Sequence, residues 1–197
     1  MKSLILDTSS KYLVVALYID NELIEAFQEV GNSRQSENAI PVIEKLLSNQ
    51  NLGLFDIDEL IVTIGPGSYT GVRVGLSIVK TLKTIHPFKV KVVSSLLAYA
   101  GNDACISIID ARSKQIYIGI YNNGLPLIDE TIIPIDEFND FIQNYSDFKV
   151  VGDLELVGRK ENQDLNLYQN IYILKDKLPD VNDIHQVIPN YIKGFGV

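Results

Sequence analysis

The sequence contains few of the residues that build metal sites and disulfide frameworks. Cys105 is the only cysteine, so a single chain can form neither a disulfide nor a cysteine-rich metal site. His86 and His185 lie far apart and form no His-x-x-x-His or His-Glu-x-x-His pattern. No apolar run reaches the roughly 18 residues of a membrane-spanning helix, and no cleavage-site pattern follows Met1. We therefore expect a soluble cytoplasmic protein without a metal.

Acidic residues are absent from one part of the chain. The formal net charge of −8 argues against a protein that binds nucleic acid unaided. Between Glu59 and Asp103, however, there is no acidic residue. Lysines at a helix C-terminus would complement its dipole, and the alternative is that the cations steer a partner. The cations of this span are Arg73, Lys80, Lys83, Lys89 and Lys91.

The most informative segment is the glycine-rich run from Gly65 to Gly75, which separates an apolar strand-like stretch from an amphipathic helix-like one. Its exposed backbone amides at a helix N-terminus could cradle a phosphate. A second interpretation follows Gly71 and Gly75, which lie one helical turn apart and would let another helix pack closely. The first interpretation predicts a nucleotide ligand, and the second predicts a protein partner.

The chain also looks like one unit written twice. An offset of 103 residues superposes Asp7 on Asp110 and Lys11 on Lys114, and it aligns the alternating strands and the turn between them. Each half therefore begins with a three-stranded meander. The first half continues with a helix over 36–48, a strand over 60–64, a helix over 71–85 and a strand over 90–93, which predicts a βββαβαβ unit.

The second half predicts a shortened form of the same plan. Strands are expected at 105–110, 115–121, 125–133 and 149–151, with a helix near 136–144. The pattern then weakens: Tyr168 to Leu174 resembles a further strand, and Asp180 to Val187 could form a short closing helix. We predict an α/β protein with a first domain at 1–103 plus 188–197, and a second at 104–187.

Two such halves, each opened by a strand that ends in Asp, resemble the ribonuclease-H-like tandem of the actin, hexokinase and Hsp70 superfamily. Within it the chain resembles the TsaB family, also called YeaZ. The resemblance spans almost the whole chain, and the glycine run is its most specific part. The segments that carry it are Leu4 to Ser9, Gly65 to Gly75, Ile109 to Arg112, Ile116-Tyr117 and Pro189 to Lys193.

The resemblance implies a role in making threonylcarbamoyladenosine beside the anticodon of tRNAs that read codons starting with A. It implies a non-catalytic subunit that binds the catalytic paralogue TsaD, acts with the ATPase TsaE and tRNA, and forms a self-dimer when alone. TsaD binds its metal through a His-x-x-x-His pattern, and by position Ser95 and Tyr99 stand there in this chain. Neither residue is a usual ligand for iron or zinc, so no cofactor is expected.

An enzyme of this superfamily remains the alternative: an ATP-dependent small-molecule kinase or acyl transferase that uses Asp7 as a base. Such enzymes need glycines in the turn after the first strand of each half. Here side chains follow both Asp7 and Asp110. These two aspartates are nucleotide-binding candidates through a hydrated Mg²⁺, and the alternative is that they cap their turns.

The partner-binding prediction centres on the glycine loop and the helix after it. Arg73, Lys80 and Lys83 would fix the orientation of a partner helix packed on the small-residue face. Packing inside the same domain is the alternative explanation for the glycines. Direct tRNA binding through the four lysines of the basic span is a third possibility. The predicted partner-binding residues are Gly65, Pro66, Gly67, Ser68, Tyr69, Thr70, Gly71, Arg73, Gly75, Val79, Lys80, Leu82 and Lys83.

Overall fold

The computed structural model describes residues 1–30, 35–160 and 165–192. The first sheet has five strands in the order β3-β2-β1-β4-β5, with β1 antiparallel to β2 and parallel to β4. Its elements follow the βββαβαβ order expected from the sequence, with boundaries that differ by one or two residues. They are β1 (Lys2–Asp7), β2 (Tyr12–Ile19), β3 (Glu22–Val30), α1 (Gln35–Asn49), β4 (Glu59–Thr63), α2 (Tyr69–Ile85) and β5 (Lys89–Val93).

The second sheet has four strands in the order β8-β7-β6-β9. Strands β6 and β7 are antiparallel, whereas β6 and β9 are parallel. A short helix that the sequence analysis missed, α3 (Ser95–Ala100), connects the two sheets. The strands are β6 (Cys105–Arg112), β7 (Gln115–Asn122), β8 (Leu125–Pro134) and β9 (Lys149–Gly152).

Three predictions for the C-terminal part were wrong. The expected strand at 168–174 is a helix, α5 (Leu167–Leu174), because Leu167, Ile171 and Leu174 have helical spacing and are all buried. The helix expected near 136–144 is broken into α4 (Phe138–Phe141) between two 3₁₀ turns. The closing helix expected at 180–187 is a single 3₁₀ turn, Ile184–Gln186.

The apolar core explains the helix α5. One hydrophobic cluster joins Val14 of β2, Tyr99 of α3, Ile109 of β6 and Leu167 of α5, so it lies between the two sheets. Helix α5 therefore fills space between the sheets where a fifth strand of the second sheet was expected. Burial against both sheets requires a helical stripe rather than the alternating pattern of a strand.

The C-terminal segment contacts the first sheet at two places. Asp180 forms an isolated bridge with Lys91, and the Asn190 backbone N–H donates to the Ile64 carbonyl at 2.7 Å. Residues 193–197 of the predicted return segment lie outside the described residues, and the division at 103/104 stays a prediction. Among the helices that the structure describes, none has the length and apolar character required to cross a membrane.

Candidate functional site

The turn after β1 is built around the buried carboxylate of Asp7, which is only 1% exposed. This carboxylate accepts four hydrogen bonds. The donors are the Ser9 backbone N–H at 2.7 Å, the Ser9 hydroxyl at 2.6 Å, the Thr63 hydroxyl at 2.5 Å and the Ser10 hydroxyl at 3.0 Å. Its acceptor sites are thus occupied by the protein itself, which is the turn-capping arrangement rather than an open ligand set.

Ser95 and Tyr99 of α3 extend this hydroxyl network. The Ser95 hydroxyl lies 2.6 Å from the Ser9 hydroxyl. Burial raises the pKa of Tyr99, and a side-chain hydrogen bond with Ser10 acts in the opposite direction. Ser95 and Tyr99 therefore both join the hydrogen-bond network of the Asp7 turn.

The glycine loop packs directly on the same turn. The Ser68 N–H donates to the Ser9 carbonyl at 2.8 Å, and a Cβ at Gly67 would overlap that carbonyl oxygen. Gly65 and Gly67 have φ of +95° and +152°, and the Gly65–Pro66 peptide bond is cis. The glycines are needed here because the loop approaches another backbone segment closely and takes left-handed conformations.

The glycine face of α2 lies inside the domain, against the Asp7 turn. A Cβ at Gly71 would overlap the Thr8 carbonyl oxygen, and one at Gly75 would lie 2.7 Å from Thr8 Oγ1. The Thr8 hydroxyl donates to the Gly71 carbonyl at 2.6 Å, and Val79 is fully buried. Gly71, Gly75 and Val79 were therefore wrongly placed on a partner surface: the packing alternative describes them.

A different flank of α2 is open and apolar. Val74, Ile78, Leu82 and Ile85 are spaced as one side of a helix, and Ile85 is 57% exposed. Leu82 also lines a shallow groove of about 300 Å³ between α1 and α2. Further apolar side chains that are exposed near these helices are Ile40 at 38% and Phe55 at 69%. Of this flank, the sequence analysis had selected only Leu82.

The predicted orienting cations all have partners within the chain. Lys80 Nζ donates to the carbonyls of His185 and Val187, and Lys83 Nζ donates to that of Phe88. Arg73 Nε donates to the Tyr191 hydroxyl at 2.8 Å. Lys80 and Lys83 thus attach α2 to neighbouring backbone, which explains them without a partner.

Lys89 and Lys91 continue the basic span on β5, and they face one aspartate. Lys89 and Lys91 lie 3.9 and 3.2 Å from the Asp180 carboxylate. Lys91 Nζ also donates to the Leu178 carbonyl at 2.6 Å. These lysines anchor the C-terminal segment, so they present less free positive charge than the sequence suggested.

A cleft of about 650 Å³ separates the two halves. Asp110 lies on its far wall, where its carboxylate accepts the Arg112 backbone N–H at 2.7 Å and pairs with the Arg112 guanidinium at 3.0 Å. Ser68, Tyr69 and Thr70 reach the cleft from the near side. Asp7 does not line it. The two aspartates that the repeat superposes are thus not brought together as a shared ligand pair.

Asp153 is a largely buried acid in the cleft that the sequence analysis did not select. Burial raises its pKa, while the Asp110 backbone N–H and Lys11 oppose that shift. The Asp110 N–H donates to it at 2.9 Å, and Lys11 Nζ lies 3.6 Å away. Asp153 follows directly after β9 and lines the cleft on the side of the second half. Its carboxylate is already bound by the Asp110 N–H and by Lys11.

Comparisons with known proteins agree on one family. The family model described as TsaD, tRNA N6-adenosine threonylcarbamoyltransferase, matches residues 29–167. A Bacillus subtilis protein named tRNA threonylcarbamoyladenosine biosynthesis protein TsaB is 34% identical over 67% of this chain and 60% of its own length. The Haemophilus influenzae protein of the same name is 29% identical over 75% of this chain and 70% of its own. The chain belongs to the TsaB branch of this family.

A solved structure shows how far the fold of this chain agrees with that of the family. A solved structure of YeaZ from Pseudomonas aeruginosa superposes with a TM-score of 0.78, covering 97% of this chain and 100% of the other at 23% identity. The mixed α/β architecture with two sheets is therefore that of the family. The match to the Bacillus relative spans 60% of that protein.

One residue at the junction of the halves, Glu130, escaped the sequence analysis. Glu130 of β8 accepts hydrogen bonds from Tyr121 at 2.5 Å, from Asn190 at 2.9 Å and from the Ser94 hydroxyl. It thereby ties the second sheet both to the end of β5 and to the C-terminal segment. No local pattern marks such a residue, because two of its partners, Ser94 and Asn190, lie 36 and 60 positions away in the sequence.

Proposed function

We propose that this protein is a non-catalytic subunit in tRNA threonylcarbamoyladenosine biosynthesis. In this proposal it binds a TsaD-type paralogue through the open flank of α2 and the neighbouring α1, and TsaE and tRNA join the resulting complex. The same face would serve a self-dimer when the partner is absent. The names of the relatives support the pathway, and the local geometry supports a non-catalytic role for this protein beside a catalytic paralogue.

The observation that carries the non-catalytic role is the state of Asp7. A general base must reach the proton that it removes, within about 3 Å or through one water. Asp7 is buried beneath its own turn, with its carboxylate bound to four donors. An ATP-dependent kinase or acyl transferase that used Asp7 would first have to dismantle this network.

The partner-binding role is supported by the apolar character of the α1–α2 face. Ile40, Phe55 and Ile85 are exposed there, and half-buried Leu82 lies between the helices. Helical grooves of this kind accept an apolar helix face. Central apolar residues contribute most of the energy in such contacts, whereas rim charges mainly set orientation and association rate.

Direct tRNA binding by the isolated chain has weaker support. The net charge is −8, and Lys80, Lys83 and Lys91 donate to backbone carbonyls of the chain itself. Nucleic-acid affinity depends on cations that neutralise phosphates. We therefore place tRNA in the complete complex, where other subunits supply positive charge.

The test is a pair of matched substitutions. Ile85 on α2 and Ile173 on α5 are 57% and 54% exposed, so we expect an Asp at either position to affect folding to a similar extent. We expect Ile85→Asp to weaken binding of the TsaD-type paralogue at least tenfold, since a buried unpaired carboxylate opposes association. Ile173→Asp should leave binding unchanged. Equal binding of both variants, measured by calorimetry with the purified paralogue, would refute the proposed face.

A further inference from the structure

One cation on α2 differs from all the others. Arg73 is exposed, and its guanidinium carbon lies 3.9 Å from the centre of the Tyr69 ring. The Tyr191 hydroxyl accepts a hydrogen bond from Arg73 Nε at 2.8 Å. Tyr69 and Tyr191 are themselves 58% and 47% exposed, with ring centres 5.7 Å apart. Two exposed aromatic rings thus hold one exposed guanidinium.

Contacts of the C-terminal segment hold Tyr191 beside Arg73. Lys80 holds the Val187 carbonyl at 2.8 Å, and Asn190 is held by both its backbone and its side chain. Tyr191 follows directly and reaches Arg73. The hydrogen bond with Tyr191 is the largest cause of the raised pKa of Arg73. The guanidinium is therefore held in place before any partner arrives.

Arg73 lacks a carboxylate partner among residues 1–30, 35–160 and 165–192, whereas Arg112 and Lys91 each have one. Nε donates to the Tyr191 hydroxyl, and the terminal amino groups of the fork carry further N–H donors that a ligand can use. Beside it lies a shallow groove of about 360 Å³, lined by Thr70, Val74, Ser77 and Ile78 as well as by Tyr69 and Arg73. An anionic group and an apolar group could therefore bind side by side.

We propose that Arg73, preset by Tyr69 and Tyr191, is an anchor for an Asp or Glu side chain of the partner protein, whose apolar neighbour enters the groove along Val74 and Ile78. This inference rests on the proposed function and identifies the chemistry that the partner presents. The guanidinium fork matches a carboxylate in two parallel hydrogen bonds, and its prior immobilisation lowers the entropy lost on binding.

Charge selects a partner protein over the other occupants. In a self-dimer that packs α2 against α2, Arg73 would find no carboxylate on the facing helix, because no acidic residue lies between Glu59 and Asp103. A nucleic acid would need several free cations around Arg73, but Lys80 and Lys83 are bound to carbonyls of the chain. A partner protein that presents one carboxylate beside an apolar side chain would match the Arg73 guanidinium and the apolar groove beside it.

The experiment compares three variants of the full chain in binding to the purified TsaD-type paralogue. Arg73→Gln removes the charge, Arg73→Lys keeps the charge but loses the fork, and Tyr191→Phe removes only the hydroxyl that holds Nε. Lys149→Gln, at an exposed lysine on β9, is the matched charge control. We expect Kd to rise about 10- to 100-fold for Arg73→Gln, since the free energy of hydrogen bonds to charged groups corresponds to a change in affinity of about that size. Smaller increases are expected for Arg73→Lys and Tyr191→Phe, and none for the control.

An amide scan of the partner's acidic residues then identifies the carboxylate. The partner variant that replaces it should bind the wild type weakly and should show no further loss with Arg73→Gln, which is the signature of a coupled pair. Unaltered binding by all Arg73 and Tyr191 variants would overturn the anchor and leave the proposed function standing. Failure of the wild-type protein to bind the paralogue would overturn both. Loss of self-association or of tRNA binding, with paralogue binding intact, would assign Arg73 to that other occupant instead.

Discussion

The glycine face of α2 gives the sharpest stability prediction. In Gly75→Ala the new methyl group would lie 2.7 Å from Thr8 Oγ1, which is itself held by its hydrogen bond to Gly71. Overpacking of this kind costs about 1–3 kcal/mol, while the better helix propensity of alanine returns about 1 kcal/mol. We therefore expect Gly75→Ala to lower the free energy of unfolding by up to about 2 kcal/mol.

Truncating Thr8 should reverse the sign of this effect. Thr8→Ala alone loses one hydrogen bond and should cost about 1 kcal/mol. In that background the nearest remaining atom to the Gly75 methyl is a Val62 methyl at 3.6 Å, an ordinary contact. Gly75→Ala should then be neutral or stabilising by up to about 1 kcal/mol. Gly71→Ala should not be rescued, because its clash is with the Thr8 backbone carbonyl.

Urea unfolding of the four proteins in the Gly75 and Thr8 cycle measures the coupling, which we expect to be about 2 kcal/mol. The slope with denaturant must stay constant across the set for the comparison to hold. A Gly75→Ala protein that is as stable as the wild type, yet fails to bind the paralogue, would refute this reasoning. That result would indicate that Gly71 and Gly75 pack against a helix of the partner protein.

The remaining predictions concern the cleft and the buried thiol. Calorimetric titration of the isolated protein with ATP and Mg²⁺ should show no binding tighter than about 1 mM, and micromolar affinity with turnover would favour the kinase or acyl transferase alternative. Because burial raises the folded-state pKa of Asp153 above 3.8, its contribution to stability is present below pH 3.8 and is lost as pH rises through the raised pKa. Asp153→Asn should therefore gain stability relative to the wild type between acid and neutral pH, and parallel pH profiles from thermal melts would contradict this. Burial raises the pKa of Cys105 to about 11, so a thiol reagent at pH 8 should react only as the protein unfolds.

The sequence predicted those parts of the fold whose signals are local. The strands of both meanders alternate or are continuously apolar, and the glycine run marks the junction of β4 and α2. The helix α5 was mistaken for a strand because Tyr168 to Leu174 is short and apolar, and periodicity alone does not separate the two in such a run. The burial of α5 between the two sheets favours a helix over a strand.

The direction in which α2 faces could not be read from its composition. Gly71 and Gly75 fit either an external helix or an internal backbone as the close neighbour. The turn at Thr8 supplies that neighbour, and it comes from more than sixty positions earlier in the chain. Likewise, Tyr191 becomes informative only when the fold places its hydroxyl on Arg73.

The most direct measurement of the central claim is tRNA modification in a mixture of purified TsaD-type paralogue, TsaE, tRNA and threonylcarbamoyl adenylate, with and without this protein. We predict that modification requires this protein, that Asp110→Asn supports it as well as the wild type does, and that Ile85→Asp supports little. Modification that is lost with Asp110→Asn but retained with Ile85→Asp would show that the cleft acts chemically and would contradict the account.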